Sequence, residues 1–391
     1  MSTSIDAGMT VSASPDNPIA AATHRDPYPY YARLVADEPL YRDDALGLWV
    51  ASSADTVDAV LTSRLCRVRP PTEPVPTALA GSPAGEIFRH LVRMNDGGRH
   101  CPFKQAVSAT LEAIDPATVA VQGRRWAAQL SAERLTEFGF ALPAYVIATL
   151  LGAPDDAVPE VARLVGDLVG GFAPASTAEQ IVGGGVAADR LLELFRDDLR
   201  QGGSRNTLLA QLSTQARRFG RDDEVVVLAN AVGFLTQAYE ATAGLIGNAL
   251  LALARVPGLH RRFLTSPACL GNLLAEVLRY DSPVQNTRRF LAEDGVVAGR
   301  AMKKGDGILV VLAAANRDPR ANPDPHTFYE RRANRRTFTF GAGSHACPGA
   351  VLATTIAAAG VTSILERGLD PSRLDPHPQY RPSGNVRVPL F

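Results

Sequence analysis

Phe340-Gly-Ala-Gly-Ser-His-Ala-Cys-Pro-Gly349 sets one cysteine, Cys347, among three glycines, and the proline-free run 350–365 follows it directly. This reads as a loop feeding a helix N-terminus. Gly341, Gly343 and Gly349 permit backbone angles and close approach that a Cβ would forbid. A cysteine placed there sits near the positive end of a helix dipole and near exposed backbone N–H groups, and both favour its thiolate. A thiolate on a flat, tightly turned loop suits an iron whose macrocycle lies against backbone.

Outward from that loop, the chain has 391 residues, of which 46% are apolar, enough for a large core. Length alone suggests two or three domains. The motifs below are far apart in sequence yet must meet around one site, so residues 19–391 read as one domain behind a flexible tail over 1–18. The formal net charge is zero, which gives no bulk electrostatic case for nucleic acid or an anionic membrane. The four cysteines lack metal-site spacing and do not make a disulfide framework in so long a chain. The start of the chain has neither a signal-type apolar core nor an anchor, and the longest apolar run, 308–315, is too short to span a bilayer. A cytoplasmic protein is expected.

Helix, strand and turn signals divide the rest. Asp26-Pro27 starts a helix with Tyr30, Tyr31 and Leu34 on one face. Residues 48–50 and 64–68 read as strands, and the proline-rich 69–85 as a loop. Helical periodicity dominates 102–151. Gly170-Gly171 and Gly183-Gly184-Gly185 read as a flexible junction between two helices. The proline-free stretch 223–256 exceeds an ordinary globular helix and suggests one that crosses the whole domain. Residues 380–391 alternate as a short hairpin turning at Pro382-Ser383-Gly384.

The spacing Phe-Gly-x-Gly-x-His-x-Cys-x-Gly resembles the haem-binding loop of the cytochromes P450. The alternative, a buried structural cysteine in a glycine-rich turn, suits a lone cysteine better than one inside the complete pattern. The resemblance implies a mainly α fold with small β-sheets and a haem b (iron protoporphyrin IX) ligated through Cys347. His345 would hydrogen-bond a propionate, Phe340 would pack beside the sulfur, and Gly341 and Gly349 would let the macrocycle approach. Glu276-Val277-Leu278-Arg279 resembles the family's Glu-x-x-Arg helix, which an upstream arginine, here Arg332, completes in a structural network. Arg289 falls where the family places a propionate-binding arginine. His100 matches the histidine of the family's His-x-x-x-Arg pattern after Asp96. Its fourth-residue partner is Lys104, which keeps charge but loses bidentate geometry. The helix start around Gly97-Gly98 and Pro102 also departs from the pattern. Arg331, Arg332, Arg335 and Arg336 make a basic cluster before the loop. It reads either as a patch for an acidic electron donor or as a solvated face with one structural arginine.

In the family the central helix carries an acid followed by an alcohol that relay protons to dioxygen. O–O cleavage needs two protons, a general-acid task. Here Gln237-Ala-Tyr-Glu-Ala-Thr242 puts Glu240 at the acid and Ala241 at the alcohol. Thr242 is rotated by about a hundred degrees around the helix and should not replace it. Gln237 stands where a small residue is usual, facing the pocket. It either contacts oxygen, water or substrate, or merely fills space.

The resemblance therefore implies an oxidoreductase that uses dioxygen and electrons from a ferredoxin and ferredoxin reductase, acting on a small molecule or short peptide. Secondary metabolism is the expected setting, by analogy alone. Oxidative cross-linking of aromatic groups is slightly favoured on Ala241 and Gln237 together. Substrate-assisted hydroxylation is the alternative, and a haem-binding sensor or scaffold the non-enzymatic rival.

Overall fold

A computed structural model describes residues 14–97, 100–200, 206–266 and 269–391. Helix starts follow the capping rules. Ser82 Oγ accepts from Gly85 N–H at 3.0 Å ahead of a helix with proline in its first turn, and Asp115 and Asp223 cap two more. In chain order the elements are α1 (Tyr28–Asp37), β1 (Leu40–Asp43), β2 (Leu48–Ala51), α2 (Ala54–Thr62), β3 (Cys66–Arg67), α3 (Pro83–His90), α4 (Cys101–Glu112), α5 (Pro116–Gln129), α6 (Leu135–Leu151), α7 (Val158–Phe172), α8 (Ala178–Arg200), α9 (Leu208–Arg218) and α10 (Glu224–Arg255). Then come α11 (Leu259–Thr265), α12 (Leu270–Tyr280), β4 (Thr287–Leu291), β5 (Gly295–Val297), β6 (Arg300–Met302), β7 (Gly307–Val310), α13 (Leu312–Asn316) and α14 (Ala350–Glu366). The fold is mainly helical with small sheets, as the sequence implies.

One sheet has the order β1-β2-β7-β4-β3, with β2 and β7 parallel and the other pairs antiparallel; β5 and β6 form a separate hairpin. Arg289 lies opposite Ile308 in this sheet. The expected C-terminal hairpin is reduced to bridges, Tyr380 with Pro389 and Val386 with Val284. It still docks on α10, where Cβ atoms at Gly244 and Gly247 would meet Arg387 O at 2.7 Å and Pro389 Cγ at 2.5 Å.

The 32 residues of α10 extend for about 48 Å. The helix is buried all round over 227–235 and 242–253, as a helix through the middle of a core must be. Residues 236–241 between them are only partly buried. A helix buried on both sides of an accessible stretch borders an internal space there.

Two expectations change. Of the tail expected over 1–18, residues 1–13 lie outside the described residues, while Ser14 accepts from Arg33 Nη2 at 2.7 Å and Asn17 Oδ1 accepts from Ala20 N–H at 2.9 Å. The glycine clusters are not a junction, because the connection between α7 and α8 is 173–177. Gly171 and Gly184 form a seam instead: a Cβ on Gly171 would lie 3.1 Å from Gly184 Cα. Gly171 and Gly184 let two helices touch, whereas a Cβ at Gly170 or Gly183 would meet nothing.

Asp281 ties the chain ends to this core. Its carboxylate accepts from Tyr28 OH at 2.6 Å, Arg387 Nε at 2.9 Å and Arg255 Nη1 at 3.2 Å. Burial alone pushes this carboxyl up, but the Arg387 and Arg255 guanidiniums and the Tyr28 hydroxyl pull it below the usual range. Its stabilising contribution is therefore complete above the unfolded-state pKa of about 4 and lost as pH falls through the lower folded value. Asp281→Asn is expected to destabilise by about 3–5 kcal/mol at neutral pH. The gap in unfolding temperature from the parent should hold near neutrality and narrow in acid; a gap unchanged by acid would contradict this.

Candidate active site

The cysteine loop is shaped by two left-handed glycines, Gly341 at φ +70° and Gly343 at φ +66°. A Cβ at Gly343 would also lie 3.0 Å from Leu61 O. Gly341 N–H donates to Phe338 O at 2.7 Å and Cys347 N–H to Phe340 O at 2.8 Å, which closes the turn. Gly349 is the N-cap of α14 and its N–H donates to the Cys347 sulfur. Cys347 is exposed, yet enough protein surrounds it for burial to push its thiol up, against the pull of Gly349 N–H, Lys104 and Arg93. A group both accessible and enclosed faces an internal cavity. A surface groove of about 570 Å³ beside Tyr28 and Asp281 lies away from this loop.

The polar groups beside the loop come from four elements. His345 Nε2 is 3.0 Å from Asp96 Oδ1, and its ring lies 4.3 Å from that of His100. His100 is buried with Nε2 lacking any hydrogen-bond partner, and burial, with His345 and Lys104 adding to it, pushes its pKa down to about 4. Lys104 Nζ donates to Ala346 O at 2.6 Å, one residue from the cysteine. Arg289 is buried, and its guanidinium donates to Arg288 O at 2.8 Å, with no carboxylate in ion-pair reach of it among the described residues. The expected group His345, His100, Lys104 and Arg289 thus comes together with a buried donor or acceptor left over and a buried cation unpaired. Two buried carboxylates would complete such a set.

Glu276 and Arg279 are both fully buried and pair at 2.6 and 3.1 Å. Arg332 Nε reaches Glu276 Oε1 at 3.2 Å, as expected, and Arg335 Nε reaches Oε2 at 2.8 Å, which the sequence reading missed. Two of the four clustered arginines therefore turn inward. Arg336 faces Asp58 at 3.5 Å and stacks on Phe338, while Arg331 is exposed.

On α10, Glu240 and Ala241 fall in the partly exposed stretch, whereas Thr242 is fully buried with Oγ1 unpartnered. Gln237 donates to its own helix, Nε2 to Gly233 O at 2.8 Å, so one of its two amide N–H groups is occupied. Burial raises the Glu240 carboxyl above the usual range, opposed by Arg381 and Arg93. Arg381 Nη1 lies 3.6 Å from Glu240 Oε1 and covers the Phe140 ring. Neither Arg93 nor Arg381 was singled out from sequence. Both sit on irregular segments whose approach to α10 only the folded chain reveals.

A family model for cytochrome P450 matches residues 269–373, which include Glu276, Arg279, Arg289, the whole cysteine loop and all of α14. The cytochrome P450 monooxygenase PikC of Streptomyces venezuelae is 30% identical over 363 residues, 88% of this chain and 84% of that protein. The chain belongs to the cytochrome P450 family. A biotin-biosynthesis cytochrome P450 of Bacillus subtilis is 24% identical over 381 residues, 93% of this chain and 94% of the relative. Among solved structures, CalO2 superposes with a TM-score of 0.80 at 25% identity, covering 97% of this chain and 98% of the other. P450BioI, solved with a fatty-acyl carrier protein, superposes with a TM-score of 0.78 at 21% identity over 93% of this chain and 97% of the other, a likeness of fold. A P450 carries haem iron, and the enclosed thiol, the orphaned His100 and the unpaired Arg289 fit that group.

Removing the carboxylate of Glu276 would strand three guanidiniums, two of them nearly or fully buried. Glu276→Gln is expected to lower stability by about 3–5 kcal/mol and reduce haem content on purification. An unfolding free energy from urea titration that stays within about 0.5 kcal/mol of the parent would contradict this.

Proposed function

We propose that this P450 is a haem b monooxygenase of a small molecule or short peptide, in which Glu240 delivers protons without an adjacent enzyme hydroxyl. The observation that carries this reading is the split on α10: Glu240 and Ala241 border the cavity while the Thr242 hydroxyl is sealed in the core. A substrate hydroxyl or an ordered water then takes the place of the missing alcohol. When bound, the haem supplies the activation of dioxygen, with Cys347 as its thiolate donor.

The chain's own groups do the rest. Lys104, Arg289, His100 and His345 hold the two haem carboxylates, and Gly341 and Gly349 keep side chains out of the macrocycle's way, with Phe340 beside the sulfur. Glu240, raised by burial and steadied by Arg381, holds and releases a proton at its carboxyl oxygen near neutrality more readily than an exposed glutamate would. Gln237, bonded back to Gly233, shapes the wall over the cavity. Electrons come from a ferredoxin and ferredoxin reductase, docking near the exposed Arg331. No helix of the described residues is long and apolar enough to cross a membrane. A cytoplasmic setting and a role in bacterial secondary metabolism belong to this proposal, the latter by analogy.

Ala241 supports a second reading, oxidative coupling of two aromatic groups on a phenol or peptide. The product mass separates the two: hydroxylation adds one oxygen atom, coupling removes two hydrogens. With a surrogate ferredoxin pair and a turned-over substrate, Ala241→Thr should lower peroxide release per dioxygen consumed severalfold. An unchanged peroxide fraction would contradict the missing-alcohol account. Dioxygen consumption absent with every substrate would favour a sensor or scaffold.

A further inference from the structure

Arg93 lies on the short turn after α3, and that turn is firmly fixed. Val92 N–H donates to Asn230 Oδ1 on α10 at 2.8 Å, and Asn230 Nδ2 donates back to His90 O at 2.8 Å. Asn95 Nδ2 donates to Leu91 O at 2.7 Å, and Arg69 Nη2 donates to Asn95 Oδ1 at 2.7 Å. These bonds hold the turn against α10 and Arg69. Among the described residues the Arg93 guanidinium has no hydrogen bond and no ion pair. It is exposed, yet surrounded closely enough for desolvation to lower its pKa, and Cys347 and Glu240 are the charged groups that act on it. It therefore reaches into the internal cavity between the cysteine loop and the accessible stretch of α10.

Charge matching shows what belongs there. Glu240 already has Arg381 at 3.6 Å. Asp96 has His345 at 3.0 Å, with Arg67 also acting on it. The two haem carboxylates are matched by Lys104 and Arg289. Arg93 is left as one cation in excess, and enclosed charges are stable when paired. We propose that Arg93 is the specificity residue for a carboxylate on the substrate, which it binds through its guanidinium fork inside the cavity. A single surplus charge fits a monoanion; a phosphate dianion would leave an extra negative charge enclosed. The fork geometry of arginine suits two-point contact with a carboxylate. This inference rests on the haem-thiolate reading of the site.

The test uses the haem-loaded protein and probes that anchor themselves whatever the natural substrate is: N-alkylimidazoles of graded chain length ending in a carboxylate, each against its methyl ester. Imidazole binding to the iron shifts the absorption spectrum and reports affinity directly. At the best chain length the acid should bind roughly tenfold tighter than its ester or more. Arg93→Met should abolish that preference while leaving ester affinity and haem content unchanged, and Arg93→Lys should keep part of it. Equal affinity for acids and esters at every length, or a preference that survives Arg93→Met, would overturn the proposal. So would loss of haem from Arg93→Met with no acid preference in the parent, which would make Arg93 a haem anchor. Absence of any imidazole shift would instead refute the haem-thiolate reading itself.

Discussion

The carboxylate of Glu276 is the point from which the cysteine loop takes its position. Arg279, Arg332 and Arg335 share it, and Arg279 also donates to Pro325 O at 2.8 Å and Thr327 O at 3.2 Å, tying α12 to the irregular segment that follows α13. The chain of bonds continues toward the site. Phe338 N–H donates to Asn316 Oδ1 at 2.6 Å, Asn316 O accepts from Arg279, and Gly341 N–H donates to Phe338 O. A buried pair of this kind adds little net stability by itself but is costly to break. Its value here is positional: it makes a long coil, 317–349, as definite as a helix.

The site that results is a set of enclosed charges held by rigid elements. The cysteine loop supplies a sulfur with one backbone N–H aimed at it. Arg289, on the strand between β3 and β7, and Lys104, on α4, supply cations. The accessible stretch of α10 supplies one carboxyl, Glu240, which burial raises above the usual range against the pull of Arg381 and Arg93. The seam of Gly171 and Gly184 presses α7 onto α8, and the contacts of the C-terminal segment with Gly244 and Gly247 bring Arg381 over Glu240. Distant sequence segments thus meet because glycines let backbones approach, and because arginines bridge what remains.

The loop, the Glu-x-x-Arg helix and the long central helix were legible in the sequence because each is a local pattern with a fixed spacing. Helical geometry also separates Ala241 from Thr242, since a residue one step along turns about a hundred degrees away. The reading of Gly170-Gly171 and Gly183–Gly185 as hinges failed for a physical reason. Glycine inside a helix signals either flexibility or close packing, and sequence does not separate them. Arg335 was missed because the pattern asks for one arginine partner of Glu276, and the register gave that place to Arg332. Arg93 and Arg381 carry no local pattern, because their significance is what they lack or meet across the cavity.

The central claim is that Cys347 presents its sulfur to haem iron, and the spectrum of the reduced carbonyl complex tests it most directly. The parent protein should give the thiolate-type carbonyl spectrum. Cys347→Ala should lose it while Cys66, Cys101 and Cys269 remain in place. A thiolate-type spectrum that survives in Cys347→Ala, or that the correctly folded, haem-loaded parent never shows, would contradict the account.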